Sequence, residues 1–313
     1  MMEKVAVIIP VYNRRSLVLD ALESVQNQTV APDFVTVVDD GSTDGTYEAV
    51  QAWIHSQQQV GSEHKPAYQL LRQQRGNAAL ARQYGMSVTP RTNFVGFLDS
   101  DDRWPSDFIE RTTKTLEHDQ GIIAVSTNRK FVNTTGVVLQ HDDCSKLAKS
   151  PLKWMFRYGA GVASCTMFRW NAVIDAGGWD IGLESAEDAL LFSQICLLGQ
   201  WKHVAGSPVV FRVHQTGELG EAGNLSSKFS DRFERWAVTH ELIFRKVAEY
   251  VTKADQKYLG AQVGNYWYRA GKTYLESDQR TAAASCFRKA LGWNRRLFRA
   301  RLRLLKLGCL SAQ

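Results

Sequence analysis

The chain is poor in paired cysteine. Its five thiols, Cys144, Cys165, Cys196, Cys286 and Cys309, are scattered over 313 residues without a Cys-x-x-Cys spacing. Neither a disulfide framework nor a thiolate zinc site is therefore indicated. Long hydrophobic runs are missing too. The stretch Val5 to Val11 is too short to cross a bilayer and lacks the basic flank and cleavage site of a signal peptide, so a cytoplasmic protein is expected. No Gly-x-Gly-x-x-Gly follows this first apolar run and no Walker-type Gly-x-x-x-x-Gly-Lys-Ser/Thr occurs anywhere, Gly271-Lys272-Thr273 having Tyr266 where the leading glycine would stand, which removes the main support for dinucleotide and P-loop readings. Acid is absent from the tail. From Arg280 to Gln313 there are nine Arg or Lys residues and no Asp or Glu, and subtracting those nine from the net +6 leaves −3 for the rest. By charge, the main body is not a nucleic-acid binder. The 44% hydrophobic and 22% charged composition is ordinary for a globular chain.

What the sequence does contain is most concentrated at Phe97-Leu98-Asp99-Ser100-Asp101-Asp102. The apolar positions from Phe94 to Leu98 read as a strand with carboxylates crowded at its end. Like charges so close raise one another's pKa unless a cation neutralises them, and hard oxygen donors suit Mg²⁺ or Mn²⁺ completed by substrate phosphates. A helix N-cap ahead of Pro105 accounts for the same residues equally well.

The first half alternates short apolar runs with helix-like ones: Val5 to Ile9 then Arg15 to Gln26, Phe34 to Val38 then Tyr47 to His55. Tyr68 to Leu71, Ala78 to Val88 and Phe94 to Leu98 continue the series. This pattern predicts an α/β fold with a mostly parallel sheet flanked by helices. Ligands bind such sheets beyond the carboxyl ends of the strands, which here are three polar loops: Pro10 to Arg14, Asp39 to Asp44, and Asp99 to Asp102. Between Ile122 and Val173 the pattern changes to strand-like pieces and loops. A helix from about Ala186 to Leu197 follows, then strands near Lys202 to Val204 and Val209 to Val213. The glycine-rich loop Gly217 to Gly223 marks a boundary, giving domains 1–223 and 224–313. Beyond it an all-α region is expected, in which Trp267, Gly271, Tyr274, Ala283, Phe287 and Ala290 have the spacing of one tetratricopeptide unit.

Ile-Ile-Pro-Val-Tyr-Asn-Arg, Val-Asp-Asp-Gly-Ser-Thr-Asp, Leu-Asp-Ser-Asp-Asp, Gly177-Gly178-Trp179-Asp180 and Ala186-Glu187-Asp188 occur in order. Together they resemble family 2 glycosyltransferases of the GT-A fold over roughly residues 4 to 225. The resemblance implies that Pro10, Tyr12 and Asp40 hold the nucleotide base, with Asn13 and Arg14 beside them. It makes Asp101 the metal ligand, Asp99 the motif's other acid and Ser100 a ribose or phosphate contact, and it places Arg82 near the diphosphate. Gln83 stands where the family usually has Asn. Asp188 matches the catalytic base that takes the acceptor proton, while Glu187 and Asp188 also suit a helix start. Arg212 and His214 match a Tyr-Arg-x-His element, with His214 a further metal ligand or diphosphate contact. Ala163, Ser164, Cys165 and Trp179 are candidates for the acceptor pocket.

The tail from Asn294 to Leu310 is amphipathic, with Leu297, Phe298, Leu302, Leu304 and Leu305 read as one face and Arg299, Arg303 and Lys306 opposite. It either docks on the preceding helices or lies on an anionic membrane. The expected activity is a divalent-metal-dependent inverting transfer from a nucleotide sugar, a UDP-sugar by resemblance, to a saccharide or lipid-linked acceptor. A sugar-nucleotide nucleotidyltransferase, or a non-catalytic nucleotide-binding or tetratricopeptide-type scaffold, are the competing readings.

Overall fold

Seven consecutive buried residues form β1 (Val5–Val11), as an unbroken apolar run does when both faces of a parallel strand are covered. In the computed structural model, which describes residues 3–59, 66–183, 185–213 and 231–309, β1 lies between two parallel partners. On one side is β2 (Phe34–Asp39), with Ile8 opposite Thr36. On the other is β4 (Phe94–Phe97), with Ile8 opposite Phe97. β3 (Ala67–Arg72) extends the sheet beyond β2. Past β4, β8 (Thr166–Arg169) runs antiparallel to β4 and to β5 (Ile122–Ser126), and β9 (Gln200–His203) pairs parallel with β5. The resulting seven-stranded order is β3-β2-β1-β4-β8-β5-β9. After β1 the chain builds outward on one side and then returns to place β4 on the other, and that reversal opens a crevice above the carboxyl ends of β1 and β4.

Helices α1 (Arg15–Gln26), α2 (Thr46–Gln59), α3 (Ala78–Val88) and α4 (Phe108–His118) cover the sheet. α3 sits close because Gly85 has no side chain: a Cβ there would come within 2.7 Å of Ile8. A three-stranded sheet of order β10-β6-β7 stands beside the first, built from β6 (Arg129–Val132), β7 (Val138–Asp142) and β10 (Val209–Arg212). An antiparallel bridge from Arg103 to Val210 ties it to the loop after β4.

Residues 122–173, expected as strands and loops, also contain α5 (Ser145–Lys149), α6 (Pro151–Tyr158) and α7 (Trp170–Asp175). Two turns or fewer carry too little periodicity to register in sequence, although Pro151 at the start of α6 is a helix-initiating signal. α8 (Glu187–Ile195) forms where the sequence places it.

The all-α region consists of α9 (Arg232–Val247), α10 (Lys253–Glu276), α11 (Arg280–Trp293) and α12 (Phe298–Lys306). α10 and α11 form a close hairpin: a Cβ on Gly271 would come within 2.6 Å of the Phe287 ring. Glu241 of α9 accepts bonds from Trp267 Nε1 and Trp293 Nε1, both at 2.6 Å. The tail departs from the single apolar face expected of it. Leu297, Ala300 and Leu304 are buried, whereas Phe298 is 68% and Leu302 40% exposed. The first three follow the 3,4 spacing that seats α12 on the protein, and the other two, four residues apart, occupy a neighbouring face. No described helix is long and apolar enough to cross a membrane.

Candidate functional site

The loop after β1 takes its shape from Asn13, which adopts φ +48°. Its amide donates to Ser42 Oγ at 2.9 Å and its side chain accepts from the Thr43 amide at 2.8 Å, so the first two strand-end loops are stitched together. The Arg14 amide adds a bond to Thr46 Oγ1 at 3.0 Å. Pro10 is buried in β1. Tyr12 carries the Arg75 guanidinium 3.9 Å from its ring centroid, and Arg75 also donates to the Tyr12 hydroxyl. Asp40 accepts from Gln73 Nε2 at 2.6 Å and from the Gly76 amide at 2.8 Å. Burial raises its pKa, and these two bonds oppose the rise. Gln73 and Arg75 were not singled out in the sequence, yet both follow directly on β3, at the carboxyl end of the next parallel strand.

The acidic cluster divides into three environments. Asp101 Oδ2 pairs with Arg14 Nη1 at 2.7 Å. Asp99 Oδ1 pairs with Arg82 Nη2 at 2.6 Å, and Ser100 is buried between them in sequence. Asp102 is buried and accepts from the Arg212 amide at 3.3 Å. Burial, then the charges of Asp101 and Asp99, push its pKa well above the carboxylate range. The helix-cap alternative for this cluster is thereby corrected: the residue preceding α4 is Asp107, and Asp102 instead joins β10 to the loop. Arg212 itself reaches Asp20 Oδ2 at 2.6 Å.

Arg82 links the acidic cluster to α8. Its Nη1 is 3.1 Å from Glu187 Oε1 while its Nη2 holds Asp99, and its guanidinium stacks 4.5 Å from the Trp179 ring centroid. Burial opposes the charge on Arg82, but Asp99 and Glu187 outweigh it and keep the group firmly protonated. Gln83, the departure from the family pattern, accepts from the Trp179 amide at 3.0 Å. It thus holds the turn that presents Trp179. Trp179 is itself buried and packs edge-on against Phe97 at 5.0 Å, beneath Arg82.

Next to Glu187, Asp188 is half-buried at the start of α8. Its Oδ2 accepts from the Gly161 amide and its Oδ1 from the Ala189 amide, both at 2.8 Å. Burial, with Glu187 adding, raises its pKa to about 6, against the pull of the Gly161 amide and Arg82. A carboxylate tuned in this direction is better matched to taking a proton near neutrality. The helical region fixes the approach to α8: Trp236 Nε1 donates to Ser185 Oγ at 3.0 Å and Thr239 Oγ1 to Ser185 O at 3.3 Å.

Ala163, Ser164 and Cys165 are all buried. Ser164 Oγ accepts from the Asp99 amide at 3.1 Å, which puts this turn under the acidic loop as a support. His214 and the loop 217–223 lie outside the described residues. Among the described residues no group of three or more His, Cys, Asp or Glu side chains forms a metal cage. Asp99 and Asp101 nevertheless offer the hard oxygen donors that Mg²⁺ or Mn²⁺ takes when substrate phosphates complete the shell. The donor set fits such an ion.

A family model described as glycosyl transferase family 2 matches residues 6–171, over half of the chain. The chondroitin synthase of Pasteurella multocida strain Pm70 is 26% identical over 277 residues, covering 80% of this chain and 27% of the synthase. The chain therefore spans only about a quarter of that curated relative's length. Among solved structures, residues 1–349 of S. aureus TarS superpose with TM-score 0.69 at 17% identity, covering 97% of this chain and 88% of the other. The same fragment is described in complex with UDP-GlcNAc, with TM-score 0.60, 17% identity and coverage of 99% and 93%. The mannosyltransferase PcManGT from Pyrobaculum calidifontis, in complex with GDP-Man and Mn²⁺, gives TM-score 0.60 at 21% identity, covering 98% of this chain and 80% of the other. At these identities the structural likeness establishes the GT-A-like fold.

Proposed function

The chain belongs to glycosyl transferase family 2, and from this membership we propose an inverting, divalent-metal-assisted transfer from a UDP-sugar to a hydroxyl of a saccharide or lipid-linked glycan. That it is a glycosyltransferase using a nucleotide sugar follows from the family; the mechanism, metal, nucleotide and acceptor are the proposal. Residues 1–223 are the catalytic domain and 224–313 a helical domain. The carrying observation is Arg82, whose one guanidinium holds Asp99 at the end of β4 and Glu187 beside Asp188. It brings a donor-side acid and a second, separate carboxylate into one site.

In this reading Pro10, Tyr12, Asn13, Arg14 and Asp40 form the nucleotide end, with Ser100 at the ribose or phosphate. Asp101, with Asp99, holds Mn²⁺ or Mg²⁺, and His214 is a further candidate ligand. A bound ion would supply neutralisation of charge on the departing diphosphate, and Arg82 would stand near that group. Asp188 takes the proton of the acceptor hydroxyl. The oxygen then forms its bond to the anomeric carbon on the face opposite the leaving group, the carbon–oxygen bond to the β-phosphate breaks, and the nucleoside diphosphate leaves with the electron pair. Configuration at the anomeric carbon inverts.

UDP is favoured because the TarS fragment is described with UDP-GlcNAc, and the metal because PcManGT is described with Mn²⁺. A lipid-linked acceptor accords with α12, whose exposed Phe298 and Leu302 are accompanied by exposed Arg301 and Lys306, the chemistry of a helix resting on an anionic bilayer. The test is a panel of nucleotide sugars offered with saccharide acceptors in Mn²⁺. Nucleoside diphosphate release with an inverted anomeric product by NMR supports the reading. A retained anomer refutes the inverting mechanism, and conversion of the nucleotide sugar to nucleoside triphosphate and sugar 1-phosphate when pyrophosphate is added, with no nucleoside diphosphate released, favours the nucleotidyltransferase.

A further inference from the structure

Asp188 takes a hydrogen bond from a glycine loop that is anchored from the smaller sheet. Gly161 adopts φ +51°, donates its amide to Asp188 Oδ2 at 2.8 Å, and offers its carbonyl to Arg129 Nη1. Arg129, the first residue of β6, has little freedom. Its Nε and Nη2 reach Asp142 Oδ2 at 2.9 and 2.8 Å, and its guanidinium lies 5.0 Å from the Phe131 and 5.4 Å from the Phe211 ring centroid. Only 11% of the side chain is exposed. A planar guanidinium fork held by a carboxylate and two rings has one remaining direction in which to donate. Here that direction is the Gly161 carbonyl. Fixing this carbonyl on a residue with left-handed φ orients the neighbouring amide, because only two dihedrals separate the two peptide planes.

We propose that Arg129 is a positioning residue for transfer: by anchoring the Gly161 carbonyl it aims the Gly161 amide at Asp188 and holds that carboxylate in its working orientation. The proposal rests on Asp188 being the base. Neither Arg129 nor Asp142 stands among the residues placed at the nucleotide, the metal or the proton transfer.

The consequence is electrostatic as well as geometric. The charged groups that act on Asp188 are Glu187 of its own helix, which raises its pKa, and Arg82 of α3, which lowers it; the amides of Gly161 and Ala189 also lower it. Releasing the Gly161 amide removes one lowering contribution and lets the pKa rise.

The test uses Arg129→Lys, whose single ammonium cannot serve Asp142 and Gly161 with the same fork geometry. It also uses the double variant Arg129→Gln/Asp142→Asn, which buries no unpaired charge and keeps the test open should the lysine variant fail to fold. Carboxyl ¹³C NMR titration follows Asp188 in the free enzyme, assigned through Asp188→Asn, alongside turnover and UDP binding in Mn²⁺. The expected result is an Asp188 titration moved up by about half a pH unit to one unit, and turnover reduced about tenfold with UDP affinity unchanged. An unmoved titration in the folded variants overturns the proposal. So does an equal loss of turnover and UDP affinity, the mark of a merely structural role. Full transfer by Asp188→Asn is a distinguishable failure, since it removes the base itself.

Discussion

Replacing Asp188 with Asn should abolish transfer and at the same time make the protein more stable above neutral pH. Burial raises the Asp188 pKa from its ordinary 3.8 to about 6, roughly two units, and each unit corresponds to about 1.4 kcal/mol. Folding with this group ionised therefore costs up to about 3 kcal/mol, and partial exposure to solvent screens the figure to about 2 kcal/mol. The amide of Asn accepts with one oxygen only, so it keeps one of the two bonds from Gly161 and Ala189 and gives back about 1 kcal/mol. A net gain of about 1 kcal/mol at pH 8 remains. The sign with pH follows from linkage: a carboxyl with a raised folded pKa contributes stability that is present at low pH and lost as pH rises through about 6. The gain from Asn should accordingly shrink towards zero as pH is lowered from 8 to 5. Urea unfolding of both proteins at the two pH values, with unchanged m, reads the difference. A variant equally stable or unstable relative to wild type at both pH values would refute the reasoning.

Other predictions are more local. Arg82→Met leaves Asp99 and Glu187 without their shared cation and should destabilise the fold by about 3 kcal/mol at pH 7; a loss below about 1 kcal/mol in urea unfolding would argue against the bridge. Trp236→Phe deletes the bond to Ser185 Oγ and should lower turnover while leaving UDP binding intact, measured by steady-state kinetics and calorimetry; unchanged turnover would separate the helical region from the placement of α8. Phe298→Ser with Leu302→Ser should reduce co-sedimentation with phosphatidylglycerol vesicles severalfold without changing the low binding to neutral ones. Equal binding by the double variant would show that this face does not meet the bilayer.

Most of the sheet was legible because its central strands are buried on both faces and so are written as unbroken apolar runs, as in Val5 to Val11. The loops were legible because acid, amide and glycine collect where such strands end. The short helices α5, α6 and α7 were not, since a helix of about two turns buries only one to three side chains, and these read equally as strand. The arginine partners were hidden for another reason. Arg14, Arg82 and Arg129 meet their carboxylates across 13 to 105 positions of sequence separation, and no local pattern encodes such a pairing. Asp102 illustrates both limits. Its neighbours mark an acidic loop, but its burial and its bond to the Arg212 amide depend on a strand more than a hundred residues later.

The central claim is that the ends of β1, β2 and β4 hold a nucleoside diphosphate through a divalent ion on Asp101 and Asp99. Calorimetric titration of UDP into the protein tests it most directly, performed in Mn²⁺ and in EDTA with wild type and Asp101→Ala. The account predicts binding at least about tenfold tighter in Mn²⁺, a difference of about 1.4 kcal/mol, and loss of that advantage in Asp101→Ala. Equal affinity in Mn²⁺ and EDTA, or an undiminished Mn²⁺ effect without the Asp101 carboxylate, would contradict it.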